Sequence, residues 1–281
     1  MTLNCKGSLL DLTRPKVMGI INVNYDSFYA GSRFQSLDEA LEVAGRMLAE
    51  GADILDIGGM STRPDAPEIS ISEELGRVEE VIAAISSSFP EAIISIDTYR
   101  MEVARGAIEA GASMINDISA GRLDPNLPLL AAEYGVPYIM MHMRGTPMNM
   151  KHLTQYDDLI LEMVDYFLHL TARYKSLGVQ DMVIDPGFGF SKNLIQNYEL
   201  LDKLEVFSLL GYPLLAGVSR KGMFWRLLNS SPGEVLPATC AAHMAALERG
   251  ANILRVHDVA PAKQVIAVYE QLDNRKGEDN C

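Results

Sequence analysis

Cysteine is scarce in this chain, and its few copies are scattered. Cys5, Cys240 and Cys281 show no CxxC spacing. That argues against a disulfide framework or a structural zinc site, and it suits a reducing cytoplasm. Basic residues are also in deficit: 24 Lys and Arg against 37 Asp and Glu leave a net charge of −13. A surface of that sign repels phosphate backbones and anionic lipid, so no nucleic-acid or membrane partner is expected. Any anion must be held by a local cluster of bases. No apolar run approaches the ~20 residues a membrane helix needs. The first residues carry Lys6, Asp11 and Arg14 without a long apolar core, so no signal peptide is expected. A GxGxxG turn after the first predicted strand is missing as well. Asn22-Val-Asn-Tyr-Asp-Ser-Phe28 stands there instead, which speaks against a dinucleotide-binding sheet.

What is present is a repeated strand-to-helix pattern. Its clearest copy is Met182-Val-Ile-Asp-Pro-Gly-Phe-Gly-Phe190. A short apolar run reads as a strand buried on both faces, and Pro186 with Gly187 ends it. Asp185 is left standing at the strand's carboxyl end, under a loop with room for a ligand. The other predicted strands are 17–22, 54–57, 93–97, 113–118, 138–142, 214–219 and 253–258. Helices are predicted between them. The first follows an N-cap at Ser36 and ends at Gly51. The rest lie near 72–88, 100–110, 126–134, 155–176, 193–204, 223–228, 236–249 and 261–271. Residues 2–14 suggest a small hairpin, and 273–281 read as a polar, disordered tail. Eight such units in about 250 residues fit a closed (β/α)8 barrel in the α/β class. The whole chain then forms one domain, with the barrel over residues 15–272. A doubly wound open sheet is the runner-up.

A barrel delivers every strand's carboxyl end to one face. The residues delivered there are Asn22, Asp56, Asp97, Asn116, Met141, His142, Asp185, Ser219 to Lys221, Arg255 and His257. Taken singly, Asp56 reads as a cap on the Gly58-Gly59 turn, Met141 as core, and His142 as a packing histidine. Together they are too many buried polar strand ends to leave unpaired, and a polar ligand is the simplest partner. Asp97, Asn116 and Asp185 are acceptor-rich and suit a flat heterocycle presenting N–H donors. Arg63, Lys221, Arg255 and His257 are cationic and suit an anion such as phosphate. Gly222 opens a predicted helix whose free N–H groups could hold a further anion. No Ser, Cys or His nucleophile triad is apparent.

The chain resembles the dihydropteroate synthases from Val17 to about Leu272. The residues that carry the likeness are Met18-Gly-Ile-Ile-Asn-Val23 with Asp26-Ser-Phe28, Asp56-Ile-Gly-Gly59 with Ser61-Thr-Arg-Pro64, and Ser95-Ile-Asp-Thr98. They continue with Asn116-Asp-Ile118, Met141-His-Met143, Asp185 to Phe190 with Lys192-Asn193, Ser219-Arg-Lys221, and Arg255-Val-His-Asp258. The resemblance implies a Mg2+-assisted transferase. It would join 6-hydroxymethyl-7,8-dihydropterin diphosphate to 4-aminobenzoate, with pyrophosphate as the second product.

By the same resemblance Asp97, Asn116, Met141, Asp185 and Lys221 would hold the pterin. Asn22, Thr62, Arg63, Arg255 and His257 would hold the diphosphate, with Asn22 beside the metal. Phe190, Lys221 and Gly222 would line the 4-aminobenzoate pocket, and Asp97, Lys221 and Arg255 would carry the chemistry. A cytoplasmic homodimer is implied too. Departures from the family pattern, at Asn24, Tyr25, Ala30, Met60 and Gly222, fall in the substrate loops and point to altered handling of the amine and of sulfonamides that mimic it. Two other readings share the pterin set. One is a methyltransferase acting on methyltetrahydrofolate, which has no use for Arg63, Arg255 and His257. The other is a noncatalytic pterin-binding paralogue.

Overall fold

A computed structural model describes residues 1–23, 30–60 and 69–278. The chain opens with a hairpin, β1 (Thr2–Cys5) against β2 (Ser8–Asp11). Its two turn residues, Lys6 and Gly7, have φ of 52° and 95°, the positive values that a two-residue hairpin turn requires. Eight parallel strands follow: β3 (Lys16–Asn22), β4 (Ile54–Gly58), β5 (Ile93–Asp97), β6 (Met114–Asp117), β7 (Tyr138–Met141), β8 (Met182–Asp185), β9 (Leu215–Ala216) and β10 (Ile253–Val256). Their order is β8-β7-β6-β5-β4-β3-β10-β9. The ring closes where Ile184 of β8 bridges Leu214, and the Ile184 N–H donates to Pro213 O at 2.9 Å. The expected (β/α)8 barrel with its N-terminal hairpin is therefore the fold. An open doubly wound sheet is ruled out because the two ends of the strand order meet.

The helices are α1 (Ala30–Ala49), α2 (Ile71–Ser88), α3 (Met101–Ala110), α4 (Leu127–Tyr134), α5 (Leu159–Ser176), α6 (Leu194–Asp202), α7 (Gly222–Leu227), α8 (Leu236–Glu248) and α9 (Val259–Glu278). Three boundaries differ from the sequence-based expectation. Helix α1 starts six residues before Ser36, because serine is only mildly unfavourable inside a helix and need not mark its start. Helix α5 starts after Asp158, whose carboxylate accepts the Leu161 N–H at 3.0 Å. Helix α9 runs through most of the stretch expected as a disordered tail. Gln, Arg, Lys and Glu are good helix formers, so polarity alone does not end a helix.

Strand alternation sorts the side chains into two cores. Outward residues such as Val17, Leu55, Ile94, Ile115 and Leu254 pack under the helices. Inward residues Met18, Ile54, Met114, Ile139, Val183, Leu215 and Ile253 form an apolar floor. The hairpin closes that end of the barrel, burying Leu3, Cys5, Leu10 and Leu12 against the floor. It is pinned there by the Asn4 N–H on Asp181 (2.7 Å) and by Lys6 Nζ on Ile108 O (2.5 Å). Burial pushes the Cys5 thiol up to about 12, so this cysteine is an inert apolar plug. Leu3→Ala should cost about 2–4 kcal/mol in urea unfolding, by loss of burial plus a residual cavity. An unchanged midpoint would mean the hairpin adds nothing to the barrel.

Candidate active site

Above the apolar floor the inward positions turn polar. Asp56, Ser95, Asp97, Asn116, Asp185 and Arg255 converge there from β4, β5, β6, β8 and β10. Arg255 lies between two carboxylates. Its Nε donates to Asp56 Oδ2 at 2.6 Å, and its Nη2 donates to Asp97 Oδ2 at 2.6 Å. Asn116 Nδ2 donates to the same Asp56 oxygen at 3.0 Å. Asp56 is fully buried and is not the turn cap that its neighbouring glycines suggest. Its position in mid-strand, two residues beyond inward-facing Ile54, aims it at the barrel axis. The sequence points to the bases at the mouth as an anion site, yet one of them, Arg255, already balances two buried acids.

The balance is incomplete. Asp56 Oδ1, Asp97 Oδ1 and Ser95 Oγ are buried with no hydrogen-bond partner among the described residues. Such atoms are costly unless a ligand or ordered water supplies donors. Loss of hydration raises Asp97 to about 7; Arg255 opposes the rise and Asp56 adds to it. Burial also raises Asp185, whose Oδ1 accepts the Gly187 N–H at 2.8 Å.

The remaining sequence-predicted residues surround this centre. Lys221 Nζ sits 4.6 Å from the centroid of the Phe190 ring, a cation–π contact. Loss of hydration and the nearby Arg255 charge bring Lys221 down to about 8. Gly222 is the first residue of α7. His257 accepts or donates at Nδ1 with Ser219 Oγ, 3.1 Å away. Loss of hydration and then the Arg255 charge bring it down to about 4, so its ring is neutral at pH 7. Asn22 ends β3 at the exposed rim. A Cβ on Gly58 would stand 3.5 Å from Asp97 Cβ and 3.8 Å from Asn22 Oδ1, so the missing side chain leaves a cleft between the two. Met141 packs with Ile118, Met143 and Met150 in a small apolar cluster that Tyr99 and Phe190 adjoin. Thr62, Arg63, Asn24 and Tyr25 lie outside the described residues. Met60, another departure from the family pattern, has its sulfur 3.7 Å from Tyr99 Oη.

Sequence reasoning missed two groups. Asp117 faces outward and accepts from Tyr138 Oη at 2.6 Å, Ser119 Oγ at 2.7 Å and the Gly121 N–H at 2.6 Å. It is a buried anchor of the β6 loop. Lys192 is buried below the β8 loop, 3.1 Å from His142 Nδ1. Lys192-Asn193 is part of the family resemblance, but nothing local in the sequence marks the lysine as buried. His142 itself is the packing histidine expected, edge-on to Tyr166 at 5.0 Å.

Comparison with known proteins decides which family the chain belongs to. Residues 18–257 match the family model described as pterin binding enzyme. The chain is 44% identical over 272 residues to dihydropteroate synthase of Escherichia coli (strain K12), covering 96% of each. The chain belongs to the pterin-binding enzymes, among the dihydropteroate synthases.

Two solved relatives share the fold closely. The Yersinia pestis dihydropteroate synthase with a sulfonamide drug complex superposes with a TM-score of 0.91 at 42% identity, covering 98% of this chain and 100% of that one. The Xanthomonas albilineans dihydropteroate synthase with 4-aminobenzoic acid gives 0.89 at 39% identity, covering 97% and 98%. No helix among the described residues of this dihydropteroate synthase family member is long and apolar enough to cross a membrane.

The raised Asp97 has a measurable sign. The folded carboxyl holds its proton more tightly than the unfolded chain does. Its contribution to stability is therefore full below about pH 4 and lost as pH rises through about 7. The Tm of Asp97→Asn relative to the natural chain should rise between pH 4 and pH 7, at ~2–4 °C per kcal/mol for a protein of this size. A pH-independent difference would show that Asp97 ionises as an ordinary surface acid.

Proposed function

We infer that the chain condenses 6-hydroxymethyl-7,8-dihydropterin diphosphate with 4-aminobenzoate to give 7,8-dihydropteroate and pyrophosphate, a step of folate biosynthesis. The observation that carries this reading is the set of donor-seeking atoms around Arg255. A pterin presents N–H and NH2 groups along one edge, and Asp97, Asn116 and Asp185 present acceptors to match. Lys221 faces the same space and completes the pterin set, with Met141 on its apolar side. Arg255 and His257 receive the diphosphate, joined by Asn22; Thr62 and Arg63, which the family resemblance assigns the same role, lie outside the described residues. Phe190, Lys221 and Gly222 flank the 4-aminobenzoate. A methyl transfer from methyltetrahydrofolate, by contrast, has no leaving diphosphate for Arg255 and His257 to meet.

The chemistry needs no protein nucleophile. The bond between the exocyclic carbon and the diphosphate oxygen breaks, and the electron pair leaves with pyrophosphate. Arg255 and His257 stabilise that developing charge at the mouth. The electron-rich dihydropterin carries the positive charge left on the carbon, and Asp97 lies on that side. The amine nitrogen of 4-aminobenzoate then forms the new bond and releases a proton. Its rate depends on how Phe190 and Lys221 position it.

The donor set fits Mg2+: Asn22 Oδ1 borders the Gly58 cleft, a hard oxygen suited to an ion that keeps its other ligands as water and phosphate oxygens. When bound there, Mg2+ would neutralise charge on the leaving diphosphate.

We also propose a homodimer through the late helices. On α8, Ala242 and Ala246 are buried and Ala238 and Ala245 pack against the core, which leaves Ala241 exposed. Leu227 and Leu228, just before α8 in sequence, are exposed as well, and such apolar surface is what an interface would cover.

Pyrophosphate release should require 4-aminobenzoate. Asp185→Asn should lower kcat/KM by ~100-fold or more, because one acceptor becomes a donor facing the pterin. Its Tm should hardly move. Pyrophosphate release independent of the amine would overturn the assignment, and an unchanged kcat/KM would remove Asp185 from the site. Light scattering at micromolar concentration should give twice the 30.9 kDa chain mass; a monomer would refute the late-helix interface.

A further inference from the structure

The β8 loop is folded around the ammonium of a residue that has no part in the proposed chemistry. Lys192 is 7% exposed. Its Nζ lies 3.1 Å from Gly187 O, 3.0 Å from Phe190 O, 3.1 Å from His142 Nδ1 and 3.5 Å from His142 O. Among the described residues no carboxylate lies within ion-pairing distance of it. Burial lowers the Lys192 pKa to about 7, with the Asp185 charge opposing the fall; charged or neutral, the group donates N–H bonds and suits a cage made of carbonyl oxygens and a neutral imidazole. Burial and neighbouring Lys192 hold His142 well below its usual pKa, which keeps Nδ1 free to accept.

The backbone pays a conformational cost to build this cage. Gly187, Gly189 and Ser191 have φ of 71°, 82° and 47°. Ser191 has a Cβ, so its left-handed backbone is unfavourable on its own. A Cβ at Gly187 would overlap the His142 carbonyl oxygen, so only glycine lets the loop approach β7 this closely. Further bonds brace the outside. Asn197 Oδ1 accepts the Gly189 N–H at 2.6 Å, and its Nδ2 donates to Lys192 O at 3.1 Å. Tyr156 Oη donates to Ser191 O at 3.0 Å, and the Arg144 N–H donates to Ser191 Oγ at 2.9 Å. Among the described residues, removing the Lys192 amine would leave the Gly187 carbonyl with only the Phe190 N–H (3.1 Å) and would strip the Phe190 carbonyl of this donor.

The loop matters because of what it presents. Phe190 stands between the carbonyl that Lys192 holds and the Lys221 ammonium over its ring. The Asp185 backbone, by contrast, is held by the β7 and β8 ladder, and its side chain meets the loop through the Gly187 N–H. We propose that Lys192 is a positioning residue that fixes Phe190 against Lys221, and so sets the affinity for the arylamine while leaving pterin binding almost untouched. This rests on the synthase reading for the identity of the amine, but the loop's dependence on Lys192 does not.

The test uses the full-length protein and Lys192→Met, which keeps the stem and removes the donors. Lys192→Gln, which restores two N–H groups, is the second variant. Hydrogen exchange read by mass spectrometry should rise in a peptide covering 187–193 in Lys192→Met and return part-way in Lys192→Gln. The KM for 4-aminobenzoate should rise ~tenfold, with the Kd of the pterin diphosphate within ~threefold of the natural value. In a Phe190→Ala background the same Lys192 substitution should add little, because its effect runs through that ring. Unchanged exchange over 187–193 would overturn the proposal whatever the activity. So would an equal loss of pterin and amine affinity, or full additivity with Phe190→Ala. A natural chain without amine-dependent pyrophosphate release would instead refute the synthase reading, and the exchange result would still decide the role of Lys192. Should Lys192→Met fail to fold, the exchange and KM of Lys192→Gln decide between the same outcomes.

Discussion

Everything at the mouth of this barrel depends on one guanidinium between two buried carboxylates. Arg255 is donated by β10, Asp56 by β4 and Asp97 by β5, and the three meet across the axis. Two acids this close and this dry would repel each other, and burying either alone would be expensive. With Arg255 between them the layer tolerates burial, and Asn116 adds a neutral donor to the inner acid. The arrangement is satisfied on one side only. Its unpaired oxygens point to a ligand that brings hydrogen-bond donors. The Arg255 bonds occupy Oδ2 of each acid and leave both Oδ1 atoms open, so donors can be accepted there without breaking the ion pairs.

The polar layer rests on one that is fully buried and apolar. The apolar floor and the hairpin fill the far end of the barrel with methionine, leucine, isoleucine and valine. The polar layer sits two residues further along the same strands, so strand alternation places both layers with a single rule. The same rule puts Tyr138 and Asp117 on the outer surface. There they tie the β6 loop to the helix layer, and Tyr174 packs edge-on at 5.8 Å.

The strand ends are legible in the sequence because each apolar run breaks on a polar residue. Asp97, Asn116 and Asp185 sit where that break puts them. The barrel follows from the repeat of strand and helix. What sequence does not disclose is partnership. Asp56 and Arg255 are 199 residues apart, and no local pattern says which acid a given base will meet. Nearby glycines make Asp56 look like a turn residue, although its parity with Ile54 already aims it inward. Lys192 is hidden for a related reason. A lysine after a turn ordinarily lies in solvent, and only the positive φ values upstream bend the carbonyls back around it. Helix ends depart from expectation where a capping residue or a polar tail carries less weight than its neighbours.

The ring is not equally stiff all the way round. β3 and β4 share five paired residues, whereas β9 offers two to β10 and its neighbour Leu214 a single bridge to β8. Fewer ladder bonds make that stretch a seam, the line along which the barrel opens at least cost. Asp185 and the β8 loop border it on one side, and Ser219 to Lys221 border it on the other. The frame built from β3 to β7 holds the acceptors around Asn116 and Asp97 rigid. The seam falls between Phe190 and the backbone that carries Lys221. The ring thus has a firmly laddered arc from β3 to β7 and a sparsely laddered one at β9, and the sparse arc is flanked by both the β8 loop and the turn that carries Lys221.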